Sequence, residues 1–535
     1  MKKYVSYRLI IAMISIQALL GSCTNFLEEE VPDEVGQDSW YRTEEEAVKS
    51  LYGVHIVARE VYRSFDFLSI TDLLTDDMDY SLADVPRVQL RSLTFDTRNR
   101  YIEDVWRKLY TTINNANLVI DKVDQITPKP VSADQIKSEA LTIRAWANFL
   151  LVQLWGEVPL LEKPTYKAGE AGPKREMKEK IYEAIFNDLL FASEHLGDTP
   201  AVISKGQFKY PLVFTASVPN LLLAKAYLVT KNYPKSVEYA QKIIGKYSLA
   251  PSYGNLFDMS LKRDKKRLCE VMWEFEFDAV TNFDNKNHRD FLPVENALLG
   301  FGTNGYGAYY PSTDLFMSFD PTDLRYKAMY RIPYKTDAKT PNPPCILKNF
   351  DPVTNQNTAG GQNIIILRYA DALLTLAEGI NETQGPAAAE PYLNQVRQRA
   401  GLANITGLSK DEMREKIFNE NRWEFAHEGH RLFDLRRTGR YLSVMKALKI
   451  KMDNLVDMGS DYKMSFPNPG PVIEAVKNAV EATGAVYDHT VLLPAPFTGN
   501  TNIKDVGSND KFLLHPIPEY DMSINPNLGS NNPNW

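Results

Sequence analysis

The sequence predicts a mostly α-helical protein in which helix pairs form a scaffold, interrupted by a loop-rich region with a few short strands. Two observations support this prediction. Apolar residues recur at helical spacing in several long segments. Residues 65–100 and 278–344 lack that period; the first is acidic and the second is rich in Asn, Gly, Tyr and Pro. Length alone would allow several domains, because 535 residues exceed the size of a typical domain.

Four segments in the first part of the chain show the apolar stripe of a helix that packs on one side. In Tyr101–Val123, for example, Trp106, Leu109 and Ile113 fall on one face. Ser132 and Gln135 have the spacing of a capping box and are expected to start the third helix. The predicted helices are Glu44–Arg59, Tyr101–Val123, the segment from Ser132 to Leu154, and Lys178–Leu196.

Two further segments, residues 221–244 and 369–400, each predict a pair of short helices. In the first, residues 222–227 are followed by Asn232 and Tyr233, and then by Ala240. Small residues where two helices cross, with an aromatic residue at the turn, are typical of tetratricopeptide pairs. Because the concave surface of such pairs usually binds a protein, this part of the chain is a candidate for docking a partner.

The N-terminus predicts a lipoprotein signal over residues 1–22. Three basic residues precede an apolar stretch, residues 9–20, that is too short to span a bilayer comfortably. A Leu-Gly-Ser-Cys sequence then ends at Cys23, and small residues before a Cys resemble a bacterial lipoprotein cleavage site. Cleavage there would leave Cys23 as an acylated N-terminus on a flexible acidic tether, residues 23–36. An ordinary secretory signal with a chance Cys is the alternative.

Composition argues against two classes of protein. The net charge is −7, and removal of the basic leader would make it more negative, so a nucleic-acid partner is not expected. Besides Cys23, the chain contains Cys269 and Cys345, whose spacing does not show whether they pair. So few cysteines do not make a disulfide scaffold.

The second irregular region holds most of the candidate ligand-binding residues. It follows residues 270–277, whose strict alternation predicts a strand with its apolar face inward. Residues 299–311 then combine four glycines with four aromatic residues. Rings on such a loop are suited to stacking on the apolar faces of sugars, while hydroxyl and amide groups bind sugar hydroxyls. The alternative is a loop whose tyrosines cover the core. The candidates are Asn304, Tyr306, Tyr309 and Tyr310.

The first irregular region carries an acidic run from Asp72 to Asp84, followed by two arginines. Tyr80 and Arg87 are further candidate ligand contacts. Calcium is a conceivable occupant of the acidic run, but the spacing is not that of an EF-hand loop. A solvated acidic face is the simpler expectation, so no metal or cofactor is predicted.

Residues 421–437, Asn-Arg-Trp-Glu-Phe-Ala-His-Glu-Gly-His-Arg-Leu-Phe-Asp-Leu-Arg-Arg, have the most unusual composition in the chain. They end a helix that Ser409 and Glu412 are expected to open as a capping box. Their dense mixture of large apolar and charged residues indicates a helix buried on one side with its charges paired. His427 and His430 lack the four-residue spacing of a helical zinc site, and Gly429 between them breaks the helix face. We therefore expect a structural role.

This stretch resembles the signature of the SusD/RagB family, with Asn421 in place of the usual first Arg and His427 in place of the usual Phe. Further blocks resemble the family at residues 139–160, 366–371, 393–402 and 513–535. The Pro and Asn turns of the last block are not expected to be helical. Since the resemblance extends from Cys23 to the C-terminus, we expect one intertwined domain over residues 37–535, with binding loops at about 65–100 and 278–344.

The resemblance implies a lipid-anchored, surface-exposed nutrient-binding protein of a Gram-negative outer membrane. Such a protein covers a SusC-like TonB-dependent transporter, captures an oligosaccharide and helps to deliver it, without catalysis. Three alternatives stay open: the same role for peptide or another nutrient, a protein-docking scaffold without a small ligand, and a surface glycoside hydrolase. A hydrolase needs two opposed carboxylates about 5–9.5 Å apart. Neither Glu274 with Glu276 nor Asp76 with Asp77 offers an evident opposed pair.

Overall fold

The predicted helices form with bounds close to those expected. The structure is a computed structural model that describes residues 41–165, 172–200, 202–205, 208–211, 213–279, 283–292, 305–331, 345–351, 360–458, 506 and 510–535. Helices up to residue 268 are α1 (Glu44–Arg59), α2 (Asp66–Thr71), α3 (Val85–Arg91), α4 (Arg100–Val123), α5 (Ala133–Trp155), α6 (Lys178–His195), α7 (Ser217–Val229), α8 (Tyr233–Gln241) and α9 (Lys265–Leu268). Those that follow are α10 (Asn287–Phe291), α11 (Thr313–Ser318), α12 (Leu324–Met329), α13 (Tyr369–Thr383), α14 (Pro386–Arg399), α15 (Lys410–Glu424), α16 (Arg431–Arg437), α17 (Tyr441–Met458) and α18 (Glu519–Ile524).

Local capping explains where several helices begin. Ser409 and Glu412 form the predicted capping box at the start of α15. The expected capping box at Ser132 is wrong, because Ser132 makes no capping hydrogen bond to α5. Its hydroxyl instead donates to the carboxylate of Glu44 in α1.

Both predicted helix pairs are confirmed as α7–α8 and α13–α14. Small residues lie where these helices cross, as expected. The Ser236 hydroxyl of α8 donates to the Ala224 carbonyl of α7 at 2.8 Å. A Cβ on Gly379 of α13 would lie 2.8 Å from the Val237 side chain of α8. Thr43–Trp535 forms one compact unit, in agreement with an intertwined domain.

The described strands are short and pair in antiparallel two-stranded ladders. The pairs are β1 (Met78–Tyr80) with β5 (Tyr309–Pro311), β2 (Val202–Lys205) with β3 (Phe208–Pro211), β4 (Val271–Phe275) with β8 (Ile364–Arg368), and β6 (Tyr330–Arg331) with β7 (Cys345–Ile346). Strand β4 is the strand predicted from alternation. Its Trp273 ring packs edge-on against Trp146 of α5 at 5.3 Å, so this face points into the core as expected.

The two irregular regions contain more helix than predicted. Helices α2 and α3 lie in residues 65–100, and α10, α11 and α12 lie in the described part of residues 278–344. Each has between five and seven residues. Because two turns or fewer do not repeat an apolar period, the sequence pattern did not reveal them.

The C-terminal block also contains helix, contrary to the prediction. Glu519–Ile524 forms α18 and Pro526–Leu528 forms one 3₁₀ turn. Two hydrogen bonds to Trp155 hold the block: the Trp155 indole donates to the Pro516 backbone carbonyl at 2.9 Å, and the Asn532 side-chain amide donates to the Trp155 backbone carbonyl at 2.7 Å. Across the described ranges, no helix combines the length and the apolar character needed to span a bilayer.

Candidate ligand-binding site

Residues 421–437 are held by buried ion pairs, as predicted. The Arg368 guanidinium, at the end of β8, lies 3.1 Å from the Glu270 carboxylate and 3.0 Å from that of Glu428, and it also pairs with Glu424. The side chains of Arg368, Glu270 and Glu424 are 0% exposed. The segment therefore joins α15 to the β4–β8 ladder and presents no open charged surface there.

Of the two histidines in this segment, His427 is buried and His430 is partly exposed. The His427 ring lies 2.9 Å from the Tyr330 hydroxyl, and burial holds the pKa of His427 well below its usual range. Burial likewise lowers the pKa of His430 to about 4. Gly429 has φ +82°, and a Cβ there would lie 2.7 Å from the Phe67 ring. Within the described part of the chain, His, Cys, Asp and Glu side chains form no cluster of three or more suited to a metal ion.

The acidic run is not a solvated face, so that expectation is wrong. Asp76, Asp77 and Asp79 are at most 3% exposed. The Asp76 carboxylate accepts two hydrogen bonds from Arg431, both at 2.8 Å, and the Asp77 carboxylate accepts one from Arg422 at 2.7 Å. Asp76 and Asp77 are therefore the buried counterparts of Arg422 and Arg431, whereas Asp79 pairs with Arg91.

The β1–β5 ladder brings together the candidate residues of both irregular regions. Tyr80 lies opposite Tyr309 in the register, with ring centroids 4.9 Å apart. The Arg87 guanidinium lies 5.7 Å from the Tyr309 ring centroid and 4.2 Å from that of Tyr101. Chain segments more than two hundred residues apart thus meet at one place, as a shared site requires.

Three of the four candidate tyrosines are nevertheless covered, which corrects their predicted role as stacking rings. Tyr80, Tyr309 and Tyr310 are 2%, 1% and 3% exposed. Phe65 stacks on Tyr309 at 3.9 Å, and the Ser69 hydroxyl hydrogen-bonds to the Tyr309 hydroxyl at 2.9 Å. Tyr309 and Tyr310 are neighbours on β5 and point to opposite faces of the ladder. Both faces are covered, so a ligand does not reach these rings in this arrangement.

Tyr306, just before β5, is the candidate tyrosine that faces solvent, with 44% of its surface exposed. Its backbone amide donates to the Arg289 carbonyl at 2.8 Å, which ties the loop to α10. The Arg289 guanidinium lies over the Tyr306 ring, 4.7 Å from its centroid. Arg87 remains partly exposed beside the ladder. Asn304 and Cys23 lie outside the described residues.

Two neighbouring residues were missed by the sequence analysis. Arg289 and Asp290 both belong to α10, which is too short to be recognised from periodicity. Burial raises the pKa of Asp290 to about 6, although Arg289 and Arg87 act in the opposite direction. The only signal for them was their position in the Asn-, Gly- and Tyr-rich region. Together with Tyr306 they form a surface that we call the Tyr306 surface, consisting of Tyr306, Arg289, Asp290 and Arg87.

A separate cavity of about 100 Å³ lies in the helical scaffold. Phe149 and Leu222 line it, as do Lys225 and Asp371, whose charged groups are 2.5 Å apart. None of the predicted ligand contacts lines this cavity. It belongs to the part of the chain predicted to dock a partner.

Known proteins resemble this chain over most of its length. The profile of a family described as "SusD family" matches residues 334–535, and a SusD-like profile described as "Starch-binding associating with outer membrane" matches residues 25–209. SusD-like protein P2 from Formosa agariphila is 27% identical over 525 residues, which cover 90% of this chain and 98% of the relative. Both profiles are of SusD type, so the resemblance predicted from the sequence is confirmed.

Solved structures show the same fold. A SusD homolog from Bacteroides thetaiotaomicron matches with a TM-score of 0.73 and 20% identity, covering 94% of this chain and 99% of its own. Surface glycan-binding protein A from Bacteroides uniformis matches with a TM-score of 0.68 and 18% identity. The match covers 92% of this chain and 99% of that protein's chain. These values show that the chain shares its overall fold with both structures.

Proposed function

We propose that this chain is a lipid-anchored protein on the cell surface that binds an oligo- or polysaccharide and delivers it to a SusC-like TonB-dependent transporter. Two comparisons support a glycan ligand: the matching profile is described as starch-binding and associating with the outer membrane, and one structural neighbour is named a glycan-binding protein. The exposed Tyr306 ring, which lies against Arg289 beside the β1–β5 ladder, is the observation that supports a binding site at this position.

Capture and release require no covalent chemistry. A sugar ring placed on Tyr306 would bury apolar C–H surface, while the guanidinium groups of Arg289 and Arg87 would donate hydrogen bonds to its oxygens. Such a site gives moderate affinity because each contact also costs desolvation and ordering. Moderate affinity suits a protein that must pass its ligand to a transporter.

A glycan panel with product analysis tests this function against hydrolysis. The purified chain from Thr24 onward, which retains the compact unit Thr43–Trp535, is run by affinity electrophoresis through gels that contain different polysaccharides. We expect retardation by at least one glycan without new reducing ends. New reducing ends would instead support a hydrolase, in which Asp290, with its raised pKa, is the first candidate acid. Binding of peptides without any glycan would transfer the same role to another nutrient.

Replacing Tyr306 with Ala is expected to weaken glycan binding at least about fivefold, because the mutation removes the exposed stacking surface. The melting temperature should change little, since the ring is 44% exposed. Titration of the retarding glycan measures the effect. Tyr520→Ala is the matched control, because Tyr520 is 61% exposed on α18. Equal affinity of both variants and the unmodified chain would place the site elsewhere.

Replacing Cys23 with Ala in the full-length chain is expected to abolish acyl labelling and to release the protein from the membrane fraction, because the acylated thiol is lost. Labelling with a fatty-acid analogue, followed by fractionation, measures both effects. Cys269→Ala is the control for loss of an unrelated thiol, and it should label normally. Persistent labelling of the Cys23→Ala protein would contradict the predicted lipoprotein signal.

A further inference from the structure

Arg289 is a weakly compensated cation among the described residues. Its side chain is 26% exposed, and its nearest carboxylate oxygen, on Asp290, lies 3.7 Å from Nε. Nε is buried, and no hydrogen-bond partner for it exists among the described residues. Arg431, by contrast, pairs with Asp76 at 2.8 Å. A partly exposed guanidinium whose nearest carboxylate lies beyond hydrogen-bonding distance is suited to an external acceptor.

The neighbouring cations do not share this property. The Arg87 guanidinium donates to the Ser69 hydroxyl at 3.2 Å and to the Asp84 carboxylate at 3.4 Å. Lys108 pairs with Asp66 at 2.7 Å. Within the Tyr306 surface, Arg289 is therefore the group whose charge is least used by the fold.

We propose that the Tyr306 surface binds an anionic saccharide, with a sugar ring on Tyr306 and the carboxylate or sulfate ester of the sugar on Arg289. This inference rests on the proposed glycan-binding function and specifies its ligand class. The planar guanidinium matches the geometry of both anions and makes charge-assisted hydrogen bonds to them. Exposed Lys286, three residues before Arg289, adds positive charge near the same short helix. An anionic polymer approaching a chain of net charge −7 requires such a local cation.

The ionisation of Asp290 makes the neutralisation of the Arg289 charge depend on pH. It is flanked by Arg289 on its own helix, by Arg87 of α3 and Asp66 of α2, and by Tyr80 and Tyr309 of the ladder. Burial raises the pKa of Asp290 to about 6. Below that pH the neutral acid leaves Arg289 uncompensated, and above it the carboxylate competes with the ligand anion. Affinity for an anionic glycan is therefore expected to fall between about pH 5 and 7.5.

Matched pairs of glycans test the inference on the chain from Thr24 onward. The probes are polygalacturonate and its methyl ester, and dextran sulfate and dextran, compared by affinity electrophoresis. We expect an anionic member to bind more tightly than its neutral partner, and the pair that responds identifies carboxylate or sulfate as the recognised group. Equal or preferential binding of the neutral members would overturn the inference while leaving the proposed glycan-binding function intact. Failure to bind these and every other glycan of the panel would contradict both.

Substitutions of Arg289 test whether this residue causes the preference for anionic glycans. Arg289→Gln should reduce affinity for the anionic glycan about tenfold or more, and Arg289→Lys should lose less because the charge remains. Arg263→Gln is the control, since Arg263 is 77% exposed and pairs with Glu276. An equal loss in Arg263→Gln would reveal unspecific charge attraction and overturn the assignment. The pH profile of the unmodified chain gives a test that needs no variant: affinity that rises or stays constant from pH 5 to 7.5 contradicts the proposed competition with Asp290.

Discussion

Replacing Arg368 with Leu is expected to lower the free energy of unfolding by about 3–5 kcal/mol, because removing one partner of a buried ion pair leaves its counter-charges without compensation. Arg368 is 0% exposed and pairs with Glu270, Glu424 and Glu428. It also donates to the Glu424 backbone carbonyl at 2.8 Å. These contacts connect β8 to the end of α15, so their loss should loosen the whole β4–β8 region.

The loss of unfolding free energy caused by Arg368→Leu should depend on pH. Burial alone would raise the pKa of Glu428, but Arg368 and Lys348 outweigh it and lower that pKa to about 2. A carboxyl group with a lowered pKa in the folded state stabilises the fold above its unfolded pKa, about 4.3, and this contribution disappears as the pH falls towards 2. The destabilisation should therefore be largest near neutral pH and should shrink in acid.

Urea unfolding at pH 7 and pH 3 measures both effects. Arg263→Leu is the matched control, because Arg263 pairs with Glu276 in solvent and exposed pairs contribute about 0–1 kcal/mol. If Arg368→Leu costs no more than this control at pH 7, the buried ion pairs do not hold residues 421–437 in place.

Replacing Asp76 with Ala is the second change for which we expect a large effect, again about 3–5 kcal/mol. The Asp76 carboxylate accepts both hydrogen bonds of the Arg431 fork at 2.8 Å and lies 2.9 Å from Arg422. Asp77 lies 3.9 Å from Arg431 and does not replace this geometry. The variant therefore leaves a guanidinium with a 5% exposed side chain without its bidentate partner.

Thermal and urea unfolding is compared for three variants, Asp76→Ala, Asp76→Asn and Asp104→Ala. The comparison separates the effect of the Asp76 charge on stability from the effect of its side-chain shape. Asp76→Asn keeps an acceptor oxygen and should cost less than Asp76→Ala. Asp104 pairs with Arg107 at the surface, so its replacement should cost about 1 kcal/mol or less. Equal unfolding midpoints for Asp76→Ala and Asp104→Ala would show that the acidic run is not the structural counterpart of the arginines.

Sequence patterns predicted the features of this fold that depend on near neighbours. The capping box at Ser409 and the helix pairs α7–α8 and α13–α14 are set by residues a few positions apart, and they were found. Ser132 was misassigned because Glu44, 88 residues away, takes its hydroxyl hydrogen bond. The acidic run was misassigned for the same reason, since Asp76 and Arg431 are 355 residues apart. Partners at such separations leave no periodic signal.

The location of the candidate site stays a prediction, although the two regions proposed from the sequence do meet in the structure. The sequence indicated that residues 65–100 and 278–344 supply the ligand contacts, and the β1–β5 ladder joins these regions. It did not indicate which tyrosines face outward, because that depends on what the rest of the chain packs against each face of the ladder. Tyr309 and Tyr310 fall inside the ladder and are covered, whereas Tyr306 precedes it and stays exposed.

A crystal structure of the chain with an oligosaccharide taken from its tightest-binding polysaccharide tests the central claim most directly. The account predicts a sugar ring against the exposed face of Tyr306, with ligand oxygens within hydrogen-bonding distance of Arg289. Ligand density in the scaffold cavity beside Phe149 and Lys225, with Tyr306 bare, would contradict it.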